Sequence, residues 1–162
     1  MAHASIFLKL DGIPGPSIEA DHKGELELTD ANLGAASVND MELLHCTAPD
    51  SIASPKLWKA FLEKAAIKQA ILTCRVSGSD KLEYSTMTFS DCRVAAYGIN
   101  IAERGNKTGS TNGTSGGRAP IGVIHFSLAF AKFEAQIKEI KTDGTLGSPV
   151  KYGFDFNTGR SV

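Results

Sequence analysis

The chain has 162 residues, of which 42% are hydrophobic and 22% charged, and its formal net charge is −1, from 17 Lys and Arg against 18 Asp and Glu. That length fits one domain, residues 1–162, with room for a core of its own. The balanced charge lacks the basic excess expected of a partner for nucleic acid or anionic membrane. No run approaches the ~18 consecutive apolar residues of a spanning helix, so membrane insertion is not expected.

The opening run Ile6-Phe7-Leu8-Lys9-Leu10 reads as a strand, ended by Asp11-Gly12 and a turn-rich stretch, Ile13-Pro14-Gly15-Pro16-Ser17. Reaching Lys9 after three apolar residues, it has neither the charged leader nor the long apolar core of a secretory signal. Export without a cleavable leader is therefore the expectation. Glu25-Leu26-Glu27-Leu28 alternates and reads as a short, half-buried strand, followed by a loop over residues 30–37 and another strand over residues 41–46.

One helix is predicted. Ser54 and Pro55 suit the N-cap and first helical positions, because serine offers an acceptor to orphan N–H groups and proline has no N–H to lose. Leu57, Trp58, Phe61, Leu62 and Ala65 then recur at helical spacing, with Lys56, Lys59, Glu63 and Lys64 on the solvated side.

Strands resume with residues 70–76, a turn at Ser77-Gly78-Ser79-Asp80, and a long β-rich stretch over residues 81–97. The apolar phase of that stretch flips between Tyr84 and Met87, which predicts a bulge or burial on both faces. Residues 119–140 flip in the same way, Ile124, Phe126, Leu128 and Phe130 on one parity and Ala131, Phe133, Ala135 and Ile137 on the other. A strand that long must bend through a bulge. Between the two stretches, residues 103–118 form a Gly/Ser/Thr-rich connector. Val150, Tyr152, Phe154 and Phe156 alternate in the last strand. The fold class is mainly β: a small β-barrel of long antiparallel strands with one flanking α-helix.

Reactive constellations are absent from the sequence pattern. Lys107 precedes the connector's glycines and a strand follows, so the strand–loop–helix context of a phosphate-binding loop is missing. Asn106 and Asn112 begin glycosylation triplets that reflect the connector's composition. The histidines (His3, His22, His45, His125) are scattered, with no zinc spacing. His22 sits in a polar turn, and His125 reads as a sheet-surface or interface residue rather than a ligand. His45 and Cys46 are adjacent in a strand and point to opposite faces, which rules out a base–nucleophile pair. Glu25 and Glu27 share a strand face and read as a solvated pair rather than a glycosidase dyad. Cys46, Cys74 and Cys92 are odd in number and read as buried free thiols, with a cysteine pair left open. No catalytic residue, cofactor or metal is expected.

Several segments, in order, resemble the Hcp (haemolysin-coregulated protein) family of type VI secretion. The opening Ile6-Phe7-Leu8-Lys9-Leu10-Asp11-Gly12-Ile13-Pro14-Gly15 is similar to the family's start, and Asp21-His22-Lys23-Gly24-Glu25-Leu26-Glu27-Leu28 to its His-containing entry into an acidic strand. Ser54-Pro55-Lys56-Leu57 fits its helix start, Lys81-Leu82-Glu83-Tyr84 and residues 126–133 fit two of its strands, and Gly147-Ser148-Pro149-Val150-Lys151-Tyr152-Gly153-Phe154-Asp155 resembles its close. Two features differ: residues 29–40 replace a Trp-containing strand and long loop, and Phe154 stands where the family has Trp.

The resemblance implies a homo-hexameric ring, stacking of rings into a tube, secreted effector proteins carried or chaperoned in the lumen, and contact with other type VI secretion components. It implies a cytoplasmic protein that the apparatus then secretes without a signal peptide. It also places Glu25, Glu27, Thr29 and Asn32 at a subunit interface or facing the lumen. An alternative is a β-barrel binding module for an effector or small ligand, without tube assembly.

Overall fold

The computed structural model describes residues 4–34, 43–76, 81–101 and 122–162. The connector at residues 103–118, the turn at residues 77–80, the first two residues of the strand expected at 41–46, and His3 lie outside the described residues.

One long strand organises the fold. β6 runs over Glu83–Ile101. Its first half pairs on one side with β5 (Ile67–Val76) and on the other with β8 (Lys132–Ile140); its second half pairs with β7 (Gly122–Ala129). β7 and β8 follow one another along the same edge of β6, with Ser90 opposite Lys132 and Arg93 opposite Ala129. Between them the Ala131 N–H donates to Ser90 O at 3.1 Å. Residues 122–140 therefore do run as one bent track, but the bend is a break at Phe130 and Ala131 rather than a bulge within one strand. Opposite the break, Asp91 takes φ 54°, a left-handed conformation.

At this bend the ladder divides into two sheets. The first carries β1 (Ala4–Leu10), β2 (Leu26–Leu28), β9 (Leu146–Asp155) and β10 (Arg160–Ser161), in the order β10-β9-β8-β6-β5-β1-β2. The second adds β3 (Asp30–Asn32) and β4 (Leu44–Pro49), in the order β3-β4-β7-β6. The expected loop at 30–37 thus contains a short strand, and the strand expected to end at Cys46 continues to Pro49. The phase flip after Tyr84 is a bulge: Cys74 pairs with Ser85 and Arg75 with Glu83, leaving Tyr84 extra. A second shift leaves Ala95 extra against β7. Such insertions bend and twist a strand, which lets β6 serve both sheets.

The inner faces pack Leu8, Leu26, Leu44, Leu72, Phe89, Ile124, Phe126 and Leu128 at 5% exposure or less. Each such side chain stabilises the fold by roughly 1.5–3 kcal/mol relative to exposure. The sheets come together where Thr29 links β2 to β3. Its N–H donates to Thr47 O at 2.8 Å, and no ladder joins β2 to β4, so among the described residues the barrel is not closed by hydrogen bonds.

The predicted helix is α1, Ser54–Leu62, with Pro55 in its first turn. Ser54 is not the cap: Ala53 holds that position, and the Ser54 hydroxyl accepts the Ser51 N–H at 3.0 Å. The helix ends in a left-handed turn at Lys64 (φ 52°), with the Ala65 N–H donating to Ala60 O at 3.0 Å. Leu57 and Ala60 are buried against β6, whereas Trp58 and Leu62 are 49% and 67% exposed. Helical spacing foresaw the inward face but drew it too wide.

Candidate assembly and lumen surfaces

Burial of consecutive residues on β1 begins the first cluster. Leu8 faces the core, but Phe7, on the opposite face, is 2% exposed as well. The segment that follows β1 folds back over it and ends in a single 3-10 turn, Ala20–His22. This fold-back is held by backbone bonds from Gly15 N–H to Gly24 O (2.7 Å), Gly24 N–H to Ser17 O (2.8 Å) and Ser17 N–H to Glu25 O (3.0 Å). Gly15 is needed there, since a Cβ would lie 2.5 Å from the Glu25 carbonyl carbon.

The His22 ring stacks on Phe7 at 4.2 Å and 6°. Its Nδ1 meets the Glu25 carboxylate, and its Nε2 lies 2.7 Å from Glu83 Oε1 on β6. The Arg75 guanidinium lies 4.7 Å from the Phe7 centroid and 3.2 Å from Glu19, which also accepts Lys81 Nζ at 2.6 Å. These hydrogen bonds from Lys81 and Arg75 hold the Glu19 carboxyl below the usual carboxylate range. The polar turn expected at His22 gave no sign of this burial; the local signal is its spacing of three from Glu25.

The four residues drawn from the sequence separate here. Glu25 lies just before β2 and is buried against His22, so it does not share an open face with Glu27. Glu27 is exposed, with the Ser17 hydroxyl 3.4 Å away. Thr29 is exposed and donates its hydroxyl to Thr47 O at 3.1 Å. Asn32 is exposed and pairs with His45 across β3 and β4.

Asn32 belongs to a polar face that sequence distance concealed. On the outward side of the second sheet, His45 Nδ1 lies 2.7 Å from Ser127 Oγ, and His125 Nδ1 lies 3.2 Å from Thr47 Oγ1. The register places Asn32, His45 and Ser127 in one row and Asp30, Thr47 and His125 in the next. Both histidines are exposed, and Cys46 points the other way into the core.

Two apolar surfaces remain open. Beyond the edge of the second sheet, the core face of the first continues as Ile137, Val150 and Tyr152, which are 52%, 75% and 57% exposed. The second surface joins α1 to the end of β6: Trp58 stacks on Tyr97 at 5.5 Å, and Ile99 and Ile101 extend the same strand face to 37% and 66% exposure. Val150 and Tyr152, expected as part of the last strand's apolar alternation, are thus largely solvent-facing.

Cys46, Cys74 and Cys92 are free. Burial is the main cause that pushes the Cys46 thiol up to about 12 and the Cys92 thiol up to about 11, with nearby Asp30 and Asp91 adding to it; burial also raises Cys74. Among the described residues no group of three or more His, Cys, Asp or Glu side chains is arranged to hold a metal ion. No described helix is long and apolar enough to cross a membrane.

The family model described as "Type VI secretion system effector, Hcp" matches residues 7–137. The chain is similar to the crystal structure of Hcp1 from Salmonella typhimurium, at 29% identity and a TM-score of 0.76, covering 100% of both chains. It is similar to Hcp2 from Salmonella typhimurium at 26% identity and a TM-score of 0.70, covering 96% of this chain and 98% of that one. A type VI secretion system effector from Yersinia pestis shares the fold at 22% identity and a TM-score of 0.70, covering 93% and 98%. No curated protein matches.

Proposed function

The chain belongs to the Hcp family and is a structural component of the type VI secretion tube, and from that membership we propose that six copies close head to tail into a hollow ring. The observation that carries the ring is the pair of open apolar surfaces on different elements of one subunit. The β8–β9 surface of Ile137, Val150 and Tyr152 packs on the α1–β6 surface of Trp58, Ile99 and Ile101 in the next subunit. Two unlike patches on one chain make a heterologous contact, which propagates in one direction and ends only when the ring closes. Exposed apolar groups on this scale mark a contact surface in a soluble chain. Along its first residues β9 has an edge that no described strand pairs, and it offers backbone groups to the same neighbour.

The lumen, in this reading, is lined by the polar outward face of the second sheet with Asn32, His45 and His125, joined by Thr29 and Glu27 at the sheet junction. A wet, hydrogen-bonded surface that no described helix covers suits a water-filled channel. Rings stack into a tube, the lumen holds or chaperones secreted effector proteins, and other type VI components meet the tube ends. The subunit is made in the cytoplasm and leaves through the type VI apparatus.

The role is structural and not enzymatic. His22, Glu25 and Arg75 are the buried charged or titratable groups of the clearest polar cluster; His22 engages Glu25 and Phe7, and Arg75 engages Phe7 and Glu19, rather than converging on an open cleft.

Light scattering coupled to size exclusion, with electron microscopy of the same peak, tests the proposal. The expected result is a six-subunit ring with an open centre. A monomer that persists at high concentration would overturn it in favour of a binding module that does not assemble.

A further inference from the structure

At the bend of β6, the α1–β5 connection and the turn after β9 enclose an open groove of about 600 Å³. That volume is within the range of ligand-sized sites. Its floor is aromatic: Phe130 and Phe156 are half-buried, their rings 6.2 Å apart, and Phe130 is fixed from below by Phe89 at 4.7 Å. Its rim is cationic. Lys64, Lys68 and Arg93 line it against the single carboxylate of Asp91, and among the described residues none of the three cations forms a salt bridge.

The positive surface does not stop at the groove. A neighbouring depression shares Lys68 and adds Lys9, and another shares Ile67 and adds Lys56 and Lys59. In a chain of net charge −1, cations are therefore concentrated around one connection. An extended track suits a chain-like ligand better than a small molecule. The carboxylates of Asp11, Glu63 and Asp91 along it would repel the unbroken charge of a polyphosphate, whereas a peptide can set neutral or apolar residues opposite them. The two groove phenyl rings meet edge to face at 70° within a packed cluster and offer no stacking platform of the kind nucleobases use.

We propose that this groove binds an acidic segment of a partner protein, seating one large apolar side chain on Phe130 and Phe156 while flanking carboxylates engage Lys64, Lys68 and Arg93. Arg93 supplies the planar fork that a carboxylate matches in two bonds, and the two lysines supply mobile point charges. The inference stands apart from ring formation, since no residue lining the groove belongs to either apolar surface of the proposed ring contact.

The probe is a dye-labelled synthetic peptide of glutamates around a central phenylalanine, followed by fluorescence anisotropy on the intact protein. Saturable binding is expected, weakened about tenfold or more by Lys68→Glu with Arg93→Glu. Lys151→Glu, on β9 and away from the groove, leaves it unchanged. Lys64→Gly relieves a left-handed lysine and removes one rim charge, so it weakens binding about threefold without loss of stability. It keeps the test valid if the double variant fails to fold. A peptide with serine for phenylalanine binds more weakly. No saturable binding, equal binding by folded groove variants, or a thymidine oligonucleotide of equal charge binding at least as tightly would each overturn the proposal.

Discussion

His22 Nε2 lies 2.7 Å from Glu83 Oε1, across 61 positions of sequence, while the other ring nitrogen holds Glu25 and the ring face covers Phe7. One imidazole thereby pins the segment after β1 to both β1 and β6. The carboxylate of Glu25 is almost fully buried, with 10% of its side chain exposed, whereas Glu83 is 44% exposed.

Removing the imidazole strands the buried carboxylate and uncovers Phe7. His22→Ala is expected to destabilise the subunit by about 3 kcal/mol, measured by urea unfolding, because breaking a buried pair leaves an uncompensated charge. Glu83→Gln keeps an acceptor at a half-exposed position and should cost about 1 kcal/mol or less. Equal losses for the two variants would show that the ring does not fix the segment.

Glu19 gives the pH dependence of the same cluster. Hydrogen bonds from Lys81 and Arg75 favour its ionised form in the folded state, so its folded value lies below the unfolded one. Its contribution is complete above the unfolded carboxylate value of about 4.3 and is lost as pH falls through the lowered folded value. The Tm difference between the natural protein and Glu19→Gln should be constant from roughly pH 5 to 7 and shrink below about pH 4. A difference that grows on acidification would reverse the assignment.

How far the sequence revealed this follows from the range of each interaction. The bulge at Tyr84 was legible because a period-two pattern must change phase when one residue is inserted. The inward face of α1 was legible at Leu57 for the same local reason. The exposure of Trp58 on the helix face drawn inward, and of Val150 and Tyr152 on one face of the last strand, was not legible because periodicity records which residues share a face, not whether that face is covered within the same subunit. His22 with Glu83, and His45 with Ser127, were illegible because strand order, set by contacts across the whole chain, brings them together.

The thiols provide a probe of cooperative opening. With Cys46 and Cys92 pushed up to about 12 and about 11, chiefly by burial, almost no reactive thiolate is present near neutral pH. Native protein treated with a colorimetric disulfide reagent at about pH 8 should react first at Cys74, the half-buried one. Cys46 and Cys92 should react only with the rate of unfolding. Immediate reaction of all three would contradict their burial.

Gly15 tests the close approach of the fold-back to β2. A Cβ there would lie 2.5 Å from the Glu25 carbonyl carbon and 2.6 Å from the Leu26 nitrogen, both backbone atoms that side-chain rotation cannot move aside. Gly15→Ala should therefore cost about 1–3 kcal/mol, typical of overpacking. Gly98→Ala, where a Cβ meets nothing within 4 Å, serves as the comparison and should change stability far less. A small effect at Gly15 would mean that the segment can shift off β2.

The two open apolar surfaces make opposite demands on a mutant. Val150→Asp damages the β8–β9 surface and Trp58→Asp the α1–β6 surface, both at positions about half exposed or more, where the folded subunit loses little. Placing an unpaired carboxylate in either contact opposes assembly, so each variant alone should sediment as a monomer. In a mixture, an intact β8–β9 surface from the Trp58→Asp subunit still meets an intact α1–β6 surface from the Val150→Asp subunit. Each such pair leaves only damaged surfaces outward, so the mixture should yield one-to-one heterodimers and no rings. A contact between like patches would behave otherwise, since the variant keeping that patch would still self-associate when alone. Sedimentation velocity of each variant and of the mixture separates the two geometries, and dimers of either variant alone would defeat the head-to-tail arrangement.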